Sequence, residues 1–187
     1  MPYYGTRRKV FISFHQQDQT EVEDFVDLWA EREGLFIPKV LGASDNDDFI
    51  NSENPDYVMS QIRNRYLGDS TVTIVLVGSC THSRRYVDWE LKASLRQGVN
   101  YTPNGVMGII LPSCGAIAHL PPRLEENWTK GHQDCYARYW TVPQSGNELV
   151  SLIEDAYAAR TTRAHLIQNG SPMMKYNRRC QVCGETH

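Results

Sequence analysis

Residues 70–77 read STVTIVLV, and this stretch decides the fold class of the chain. It is rich in β-branched residues, and its second half is apolar at every position, which is typical of a strand covered on both faces. Two further apolar runs, KVFISF at residues 9–14 and VMGIIL at residues 106–111, have the same character. We therefore predict a parallel sheet with residues 70–77 at its centre.

Helical patterns alternate with the predicted strands. Residues 18–32 carry apolar side chains at helical spacing, and further helices are predicted over residues 55–66, 83–97 and 145–164. Parallel strands need such crossover helices, because the chain must return to the same end of the sheet before the next strand begins. The alternation predicts an α/β domain with helices on both faces of the sheet.

Two weaker strands complete the predicted sheet. Residues 35–41 include Pro38, which lacks a backbone N–H and therefore favours an edge position, and residues 138–142 form a short aromatic strand. Five strands suit the flavodoxin-like order 2-1-3-4-5, with another doubly wound order as the alternative. We predict a three-layer fold around a five-stranded parallel sheet, in which residues 112–133 form a long irregular connection.

Composition restricts the classes of function. The chain has 187 residues, 41% hydrophobic and 22% charged, and a formal net charge of -3, so no general affinity for nucleic acid is expected. No apolar stretch approaches the roughly 20 residues of a membrane span, and residues 1–6 lack the apolar core of a secretory signal. Five cysteines, an odd number, argue against a disulfide framework. We expect one domain over residues 1–165 and a tail over residues 166–187, in the cytoplasm, with neither nucleic acid nor a membrane as partner.

Polar segments follow two of the predicted strands. SFHQQD at residues 13–18 closes the first strand, and GSCTHSRR at residues 78–85 follows the central one. Both run into helix N-termini, whose free N–H groups suit an anion, and Arg84 and Arg85 add positive charge for phosphate. In the order 2-1-3-4-5 the carboxyl ends of strands one and three meet where the strand order reverses, which is where open α/β sheets bind ligands. Helix capping and surface charge are the alternative explanation for each residue taken alone.

Glu90 is the candidate catalytic residue. It follows Tyr86 by four positions, so both side chains lie on one face of the predicted helix. If that face turns toward the crevice, a carboxylate lies beside an aromatic ring, just past a helix start suited to phosphate. The alternative is an exposed glutamate paired with Arg85 or Lys92, and spacing by itself favours this alternative.

The same residues resemble a known family. KVFISFH at residues 9–15 resembles the opening strand of TIR domains, and STVTIVLVGSCTHSRRYVDWE at residues 70–90 resembles their central strand and the helix after it. The Gly-Ser end of that strand, and the Arg-Arg-aromatic run before the glutamate, resemble most the branch that includes the TIR proteins of Thoeris antiphage defence. The resemblance covers roughly residues 7–160, and residues 42–54 show no clear match to the usual BB loop.

This resemblance implies chemistry on NAD, as a substrate and not as a bound cofactor. Enzymatic TIR domains cleave the bond between nicotinamide and ribose, and the Thoeris branch implies an NAD nucleosidase or ADP-ribosyl cyclase whose cyclic ADP-ribose-type product signals to a downstream effector. Glu90 is then catalytic, and the residues expected to bind NAD are Ser13, Phe14, His15, Ser83, Arg84, Arg85 and Tyr86. The alternative is a non-catalytic TIR-like module for protein interaction; a homo-oligomer is compatible with either.

The last cysteines form a separate motif. Cys180 and Cys183, together with His187, offer three zinc-type ligands within the tail. A structural zinc site needs a fourth ligand, from Cys135, His132 or another chain. A lone CxxC pair is a weak signal, so we predict a reduced tail without metal. From residue 173 onward we expect this tail to be poorly packed or held by contacts outside the domain core.

Overall fold

A computed structural model describes residues 5–39, 52, 54–128 and 134–186. Its strands are β1 (Arg8–Ser13), β2 (Phe36–Lys39), β3 (Val72–Val77), β4 (Gly105–Ile110) and β5 (Arg138–Thr141). They form a five-stranded sheet in the order β2-β1-β3-β4-β5, and every pairing is parallel. The predicted fold class and the order 2-1-3-4-5 are confirmed, with β3 central and β2 at an edge.

Helices cover both faces of this sheet. They are α1 (Gln19–Val26), α2 (Pro55–Ile62), α3 (Arg85–Ser94), α4 (Pro122–Glu126) and α5 (Gly146–Thr162). On one face, α1 and α5 pack with Ile12 and Ile74 in a single apolar cluster. On the other face, α3 packs against Val75 through Val87 and Leu91, and against α2 and Phe11 through Trp89. None of the helices described here is long and apolar enough to cross a membrane.

Several helical segments differ from their predicted bounds, among them residues 55–66, where α2 ends at Ile62 and a π-helical turn, Arg63–Leu67, follows. The predicted helix over residues 18–32 is α1 followed by a wider π-helical turn, Asp27–Arg32. The predicted helix over residues 83–97 is shorter, because residues 81–83 form a separate 3-10 turn and α3 ends at Ser94. The connection after β4, expected to be irregular, contains α4, whose five residues are too few to show a helical period.

The C-terminal segment packs against α3. Met174 and Cys180 are buried, at 7% and 1% exposure. The Met174 N–H donates to Asp88 Oδ2, and the Met174 carbonyl accepts the indole N–H of Trp89, both at 2.8 Å. The prediction that residues 173–187 are poorly packed, or held by contacts outside the domain core, is therefore wrong at Met174 and Cys180, whereas most of the other described residues of this segment are exposed. The two hydrogen bonds join backbone groups of Met174 to side chains of α3, and bonds of this kind leave no periodic signal in the sequence. The domain boundary at residue 165 stays a prediction.

Deleting residues 171–187 is expected to lower the melting temperature by roughly 10 °C, which corresponds to about 3 kcal/mol in a chain of this size. The buried Arg123 guanidinium donates to the carbonyls of Ser171 and Pro172, each at 3.2 Å, and would lose both acceptors. Thermal unfolding followed by circular dichroism measures the change. Deleting only Thr186 and His187 is the control and should leave the melting temperature unchanged; equal melting temperatures for both deletions would contradict this packing.

Candidate active site

The polar segments after β1 and β3 come together, as the strand order predicts. The Thr81 hydroxyl donates to Asp18 Oδ2 at 3.2 Å and accepts the N–H of Gly78 at 2.9 Å. A Cβ at position 78 would overlap the Asp18 carboxylate, so only glycine permits this approach. Burial raises the pKa of Asp18, while the hydrogen bond from Thr81 opposes that shift. The loop after β3 is therefore fixed against the start of α1.

Glu90 lies beneath this junction and is only 1% exposed. The Ser13 hydroxyl, at the carboxyl end of β1, donates to Glu90 Oε2 at 2.7 Å. Ser13 is itself fully buried, so both partners of this bond are withdrawn from solvent. This burial excludes the alternative of an exposed surface glutamate. A carboxylate so deeply buried needs hydrogen-bond partners, and Ser13 is one of them.

The residues after Ser13 do not all lie on the Glu90 side of the sheet. Phe14 packs against the apolar cluster formed with α1 and α5, which is the opposite face. His15 is 5% exposed, and its carbonyl accepts the N–H of Asp18 at 2.8 Å, which begins the turn into α1. The structure thus joins Ser13 to Glu90 and separates Phe14 from it.

Ser83 and Arg84 precede α3. The Ser83 hydroxyl is fully buried and donates to the Cys80 carbonyl at 2.8 Å, so it closes the 3-10 turn. Arg84 occupies the N-cap position of α3 with an extended backbone, and its side chain is half-buried. Arg84 stays the predicted phosphate contact. The Ser83 hydroxyl already donates its hydrogen bond to the carbonyl of Cys80 within the loop.

Arg85 and Tyr86 lie against other side chains of α3. The Arg85 guanidinium lies 4.9 Å from the ring centre of Tyr86 and 5.4 Å from that of Trp89, and it donates to the Tyr86 hydroxyl at 2.8 Å. The Tyr86 and Trp89 rings meet edge to face. These contacts give both predicted NAD-binding residues a packing role beside the C-terminal segment.

The C-terminal segment also closes the start of α3. Asn177 Oδ1 accepts the Arg85 N–H at 2.9 Å, and the Arg178 N–H donates to the Ser83 carbonyl at 2.8 Å. The first N–H of α3, which the sequence predicts to face an anion, is therefore taken by an asparagine side chain. Sequence reasoning missed this capping residue because it lies 92 positions from its partner.

A cavity of about 540 Å³ lies beside this site, between α4, β5 and the C-terminal segment. Its walls include His82, His119, Arg178 and Arg179, and none of the predicted NAD-binding residues. The His82 and His119 rings are 5.1 Å apart, and burial together with the neighbouring His119 lowers the pKa of His82. Glu90 is not among the residues that line this cavity.

A group of metal-type ligands also forms away from Glu90. The sulfurs of Cys80, Cys180 and Cys183 lie within 4.8 Å of one another. The predicted pair Cys180 and Cys183 is thus joined by Cys80, which no spacing in the sequence connects to the tail. Cys135 is not a member of the group, and His132 and His187 lie outside the described residues, as do residues 40–51.

A parallel sheet in the order 2-1-3-4-5, with a buried glutamate on the helix after the central strand, defines a TIR-like α/β domain. A sequence model of the TIR-like domain of the Thoeris protein ThsB matches residues 11–114, more than half of the chain. The chain belongs to this ThsB TIR-like domain family.

Two individual proteins align with parts of the chain. One, from Bacillus cereus (strain MSX-D12), is named "Putative cyclic ADP-D-ribose synthase ThsB1" and is 31% identical over 104 residues, which cover 54% of this chain and 50% of that protein. The chain thus spans about half the length of this curated relative. The other, the structure of type B ribose 5-phosphate isomerase from Trypanosoma brucei, aligns over 89% of this chain and 91% of its own at 15% identity. Its TM-score of 0.31 is too low to carry an argument.

Proposed function

We propose that this chain cleaves NAD between nicotinamide and ribose, and that it forms a cyclic ADP-ribose-type nucleotide for antiphage signalling. The observation that carries the proposal is the buried Glu90 carboxylate, which Ser13 holds at the meeting point of β1 and β3. Membership of the ThsB TIR-like family supports NAD as the substrate, and the name of the Bacillus relative supports cyclisation. We place the reaction in the cytoplasm, in keeping with five cysteines that are all free.

Cleavage of this bond needs charge stabilisation more than acid catalysis. Nicotinamide is a cationic pyridinium in NAD and leaves as a neutral base, so no proton has to be supplied. Positive charge moves onto the ribose, as in the oxocarbenium-like state of glycoside hydrolysis. A carboxylate beside the ribose stabilises that charge and accepts hydrogen bonds from the sugar hydroxyls. We assign this role to Glu90, with Ser13 orienting the carboxylate through Oε2.

Cyclisation requires that a nucleophile of the ADP-ribose part, and not water, reaches the anomeric carbon. We propose that the site excludes water when NAD is bound; Glu90 and Ser13, 1% and 0% exposed, both lie away from bulk solvent. Arg84, at the N-cap of α3, is the residue we assign to the pyrophosphate. Its charge would hold the ADP-ribose part near the carboxylate after nicotinamide has left.

The direct test is to incubate the purified full chain with NAD, with and without lysate from phage-infected cells, and to identify the products by mass. We expect free nicotinamide and a nucleotide lighter than ADP-ribose by one water. If ADP-ribose formed in its place, the proposed NAD cleavage would stand and the proposed cyclisation would be excluded. Intact NAD in both preparations would contradict the proposed activity.

Arg84→Ala is expected to raise the KM for NAD roughly tenfold while changing kcat by less than about twofold. A phosphate contact is made equally before and during the reaction, so its loss weakens binding without slowing the chemical step. Arg85→Ala is the matched control, because the Arg85 guanidinium lies on Tyr86 and Trp89. An equal rise in KM for both variants would contradict the assignment of the phosphate contact to Arg84.

The second candidate is a non-catalytic module that assembles with partners or with its own copies. The observation in its favour is the loop between α3 and β4, where Val99 is fully exposed and Tyr101 is 39% exposed. Size-exclusion chromatography with light scattering would measure self-association, and Val99→Ser should abolish it if this loop forms the interface. Absence of NAD turnover, together with assembly that depends on Val99, would favour this candidate over the enzyme.

A further inference from the structure

Three cysteine sulfurs converge where the C-terminal segment meets the loop after β3. The sulfurs of Cys180 and Cys80 are 3.1 Å apart, and those of Cys80 and Cys183 are 3.6 Å apart. A disulfide needs a sulfur–sulfur distance of about 2.05 Å, so none of these contacts is a covalent bond. Four tetrahedral ligands at zinc–sulfur distances of about 2.3 Å place neighbouring sulfurs about 3.8 Å apart. The Cys80–Cys183 distance is close to this value, the Cys80–Cys180 distance is shorter, and all three sulfurs lie within 4.8 Å of one another.

The turn that carries two of the sulfurs is already shaped to present them together. The Val182 N–H donates to Cys180 Sγ at 3.4 Å, and the Gly184 N–H donates to the Cys180 carbonyl at 3.0 Å. Gly184 has φ at 77°, in the left-handed region that glycine adopts at little cost, and this bends the chain back toward Cys180. An N–H directed at a cysteine sulfur stabilises the negative charge of a thiolate ligand.

The third sulfur is held by a separate part of the fold. Cys80 lies in the loop fixed by Gly78 and Thr81, and it is only 7% exposed. On the same loop, His82 Nε2 accepts the N–H of Gln181 at 3.1 Å, which holds the cysteine turn against the loop. The ligands therefore come from two segments 100 residues apart that are fastened together independently of any ion.

We propose that Cys80, Cys180 and Cys183 bind one Zn²⁺ ion, with the fourth coordination position open to water. Sulfur ligands in a tetrahedral arrangement favour zinc among the common divalent ions. Each thiol gives its proton to the solvent as its bond to the metal forms. Three thiolates around one Zn²⁺ leave a net charge of minus one, and Arg178 and Arg179 in the same segment supply positive charge close by. Cys183 is exposed, so the open position faces the solvent side.

The ion would fasten the C-terminal segment to the start of the helix that carries Glu90. Ser83 lies between Cys80 and α3, and its carbonyl accepts the Arg178 N–H. Asn177, which caps α3, lies three residues before Cys180. Zinc at this position acts as a structural clip and takes no part in the chemistry at Glu90. The proposal is independent of NAD cleavage, because its readouts are metal content and stability.

Metal content of the full chain, purified without chelator and under reducing conditions, tests the proposal. We expect about one zinc per chain by elemental mass spectrometry, and a visible cobalt–thiolate absorption after exchange with Co²⁺. Cys183→Ser should weaken zinc binding at least about a hundredfold, more than the loss of an outer-shell partner does. This side chain is exposed, so the substitution should leave the fold intact. Cys114→Ala, at a buried cysteine outside the group, is the matched control and should keep the metal.

A second measurement separates stabilisation by zinc from general damage that a substitution does to the fold. A zinc chelator should lower the melting temperature of the wild-type chain and of Cys114→Ala, and should leave that of Cys183→Ser unchanged. A wild-type chain without zinc and without a cobalt–thiolate absorption would overturn the proposal. In a chain purified without reductant, an intact mass lower by two hydrogen atoms, with peptide mapping that joins Cys80 to Cys180, would also overturn it. If Cys183→Ser retained zinc, Cys183 would not be a ligand, and the proposed three-cysteine site would be wrong.

Discussion

Glu90→Gln is expected to lower NAD turnover by about a hundredfold or more, while the chain stays folded. The substitution keeps the size of the side chain and an oxygen that accepts the Ser13 hydroxyl, but it removes the negative charge. If that charge stabilises the oxocarbenium-like state, its loss raises the barrier by about 3 kcal/mol or more. The rate of nicotinamide release from saturating NAD, in a preparation activated by infected lysate, measures the effect.

Glu125→Gln is the matched control for this experiment, because it makes the same change at an exposed position on α4. It should leave both the turnover and the melting temperature unchanged. Ser13→Ala should reduce turnover less than Glu90→Gln does, since it frees the carboxylate without neutralising it. Wild-type turnover in Glu90→Gln would remove Glu90 from the mechanism and would favour the interaction module.

Arg123→Met is expected to reduce the free energy of unfolding by about 3–5 kcal/mol. Arg123 is 2% exposed and pairs with Asp88, with Nε donating to Oδ1 at 2.9 Å and Nη2 to Oδ2 at 3.4 Å. Methionine leaves the Asp88 carboxylate, which is 4% exposed, in the interior without its counter-charge. Urea unfolding followed by tryptophan fluorescence measures the loss.

A second substitution checks the cause of that loss. Combining Arg123→Met with Asp88→Leu removes both charges and should recover most of the stability, because a buried pair is often replaceable as a whole. The free energy of unfolding of the double variant should remain about 1–2 kcal/mol below that of the wild type, since Asp88 also accepts the Met174 N–H. Arg8→Met breaks the half-exposed pair with Glu154 and should cost less than about 1 kcal/mol. A cost for Arg123→Met no larger than that for Arg8→Met would contradict the role of burial.

The sheet could be predicted from the sequence because its signals are local. The apolar run of β3, the proline in β2 and the alternation with helices are each contained in a few neighbouring residues, and together they give the observed order. The burial of Glu90 was harder to predict, because its spacing from Tyr86 also suits an exposed helix face. The family resemblance favoured it as catalytic, and the structure supplied its burial and its bond to Ser13.

The contacts of the C-terminal segment could not be predicted, because they join distant residues without a repeating pattern. Asn177 caps a helix that begins 92 residues earlier, and Cys180 meets a cysteine 100 residues earlier. Met174 acts mainly through its backbone N–H and carbonyl, which every residue except proline possesses. Phe14 packs on the face opposite Glu90, as expected from its position directly after Ser13, because successive residues along a strand point to opposite faces of the sheet.

The shared hydrogen bonds between α3 and the C-terminal segment make them one cooperative unit. The N–H groups of Arg85 and Met174 each find their acceptor on the other partner, and the Arg178 N–H donates to Ser83 just before α3, so opening of one leaves polar groups of the other unpaired. Local unfolding at the end of the chain is thereby coupled to fraying at the beginning of the helix that carries Glu90. The helix that carries Glu90 is thus held near its start by residues that follow it by more than eighty positions in the chain.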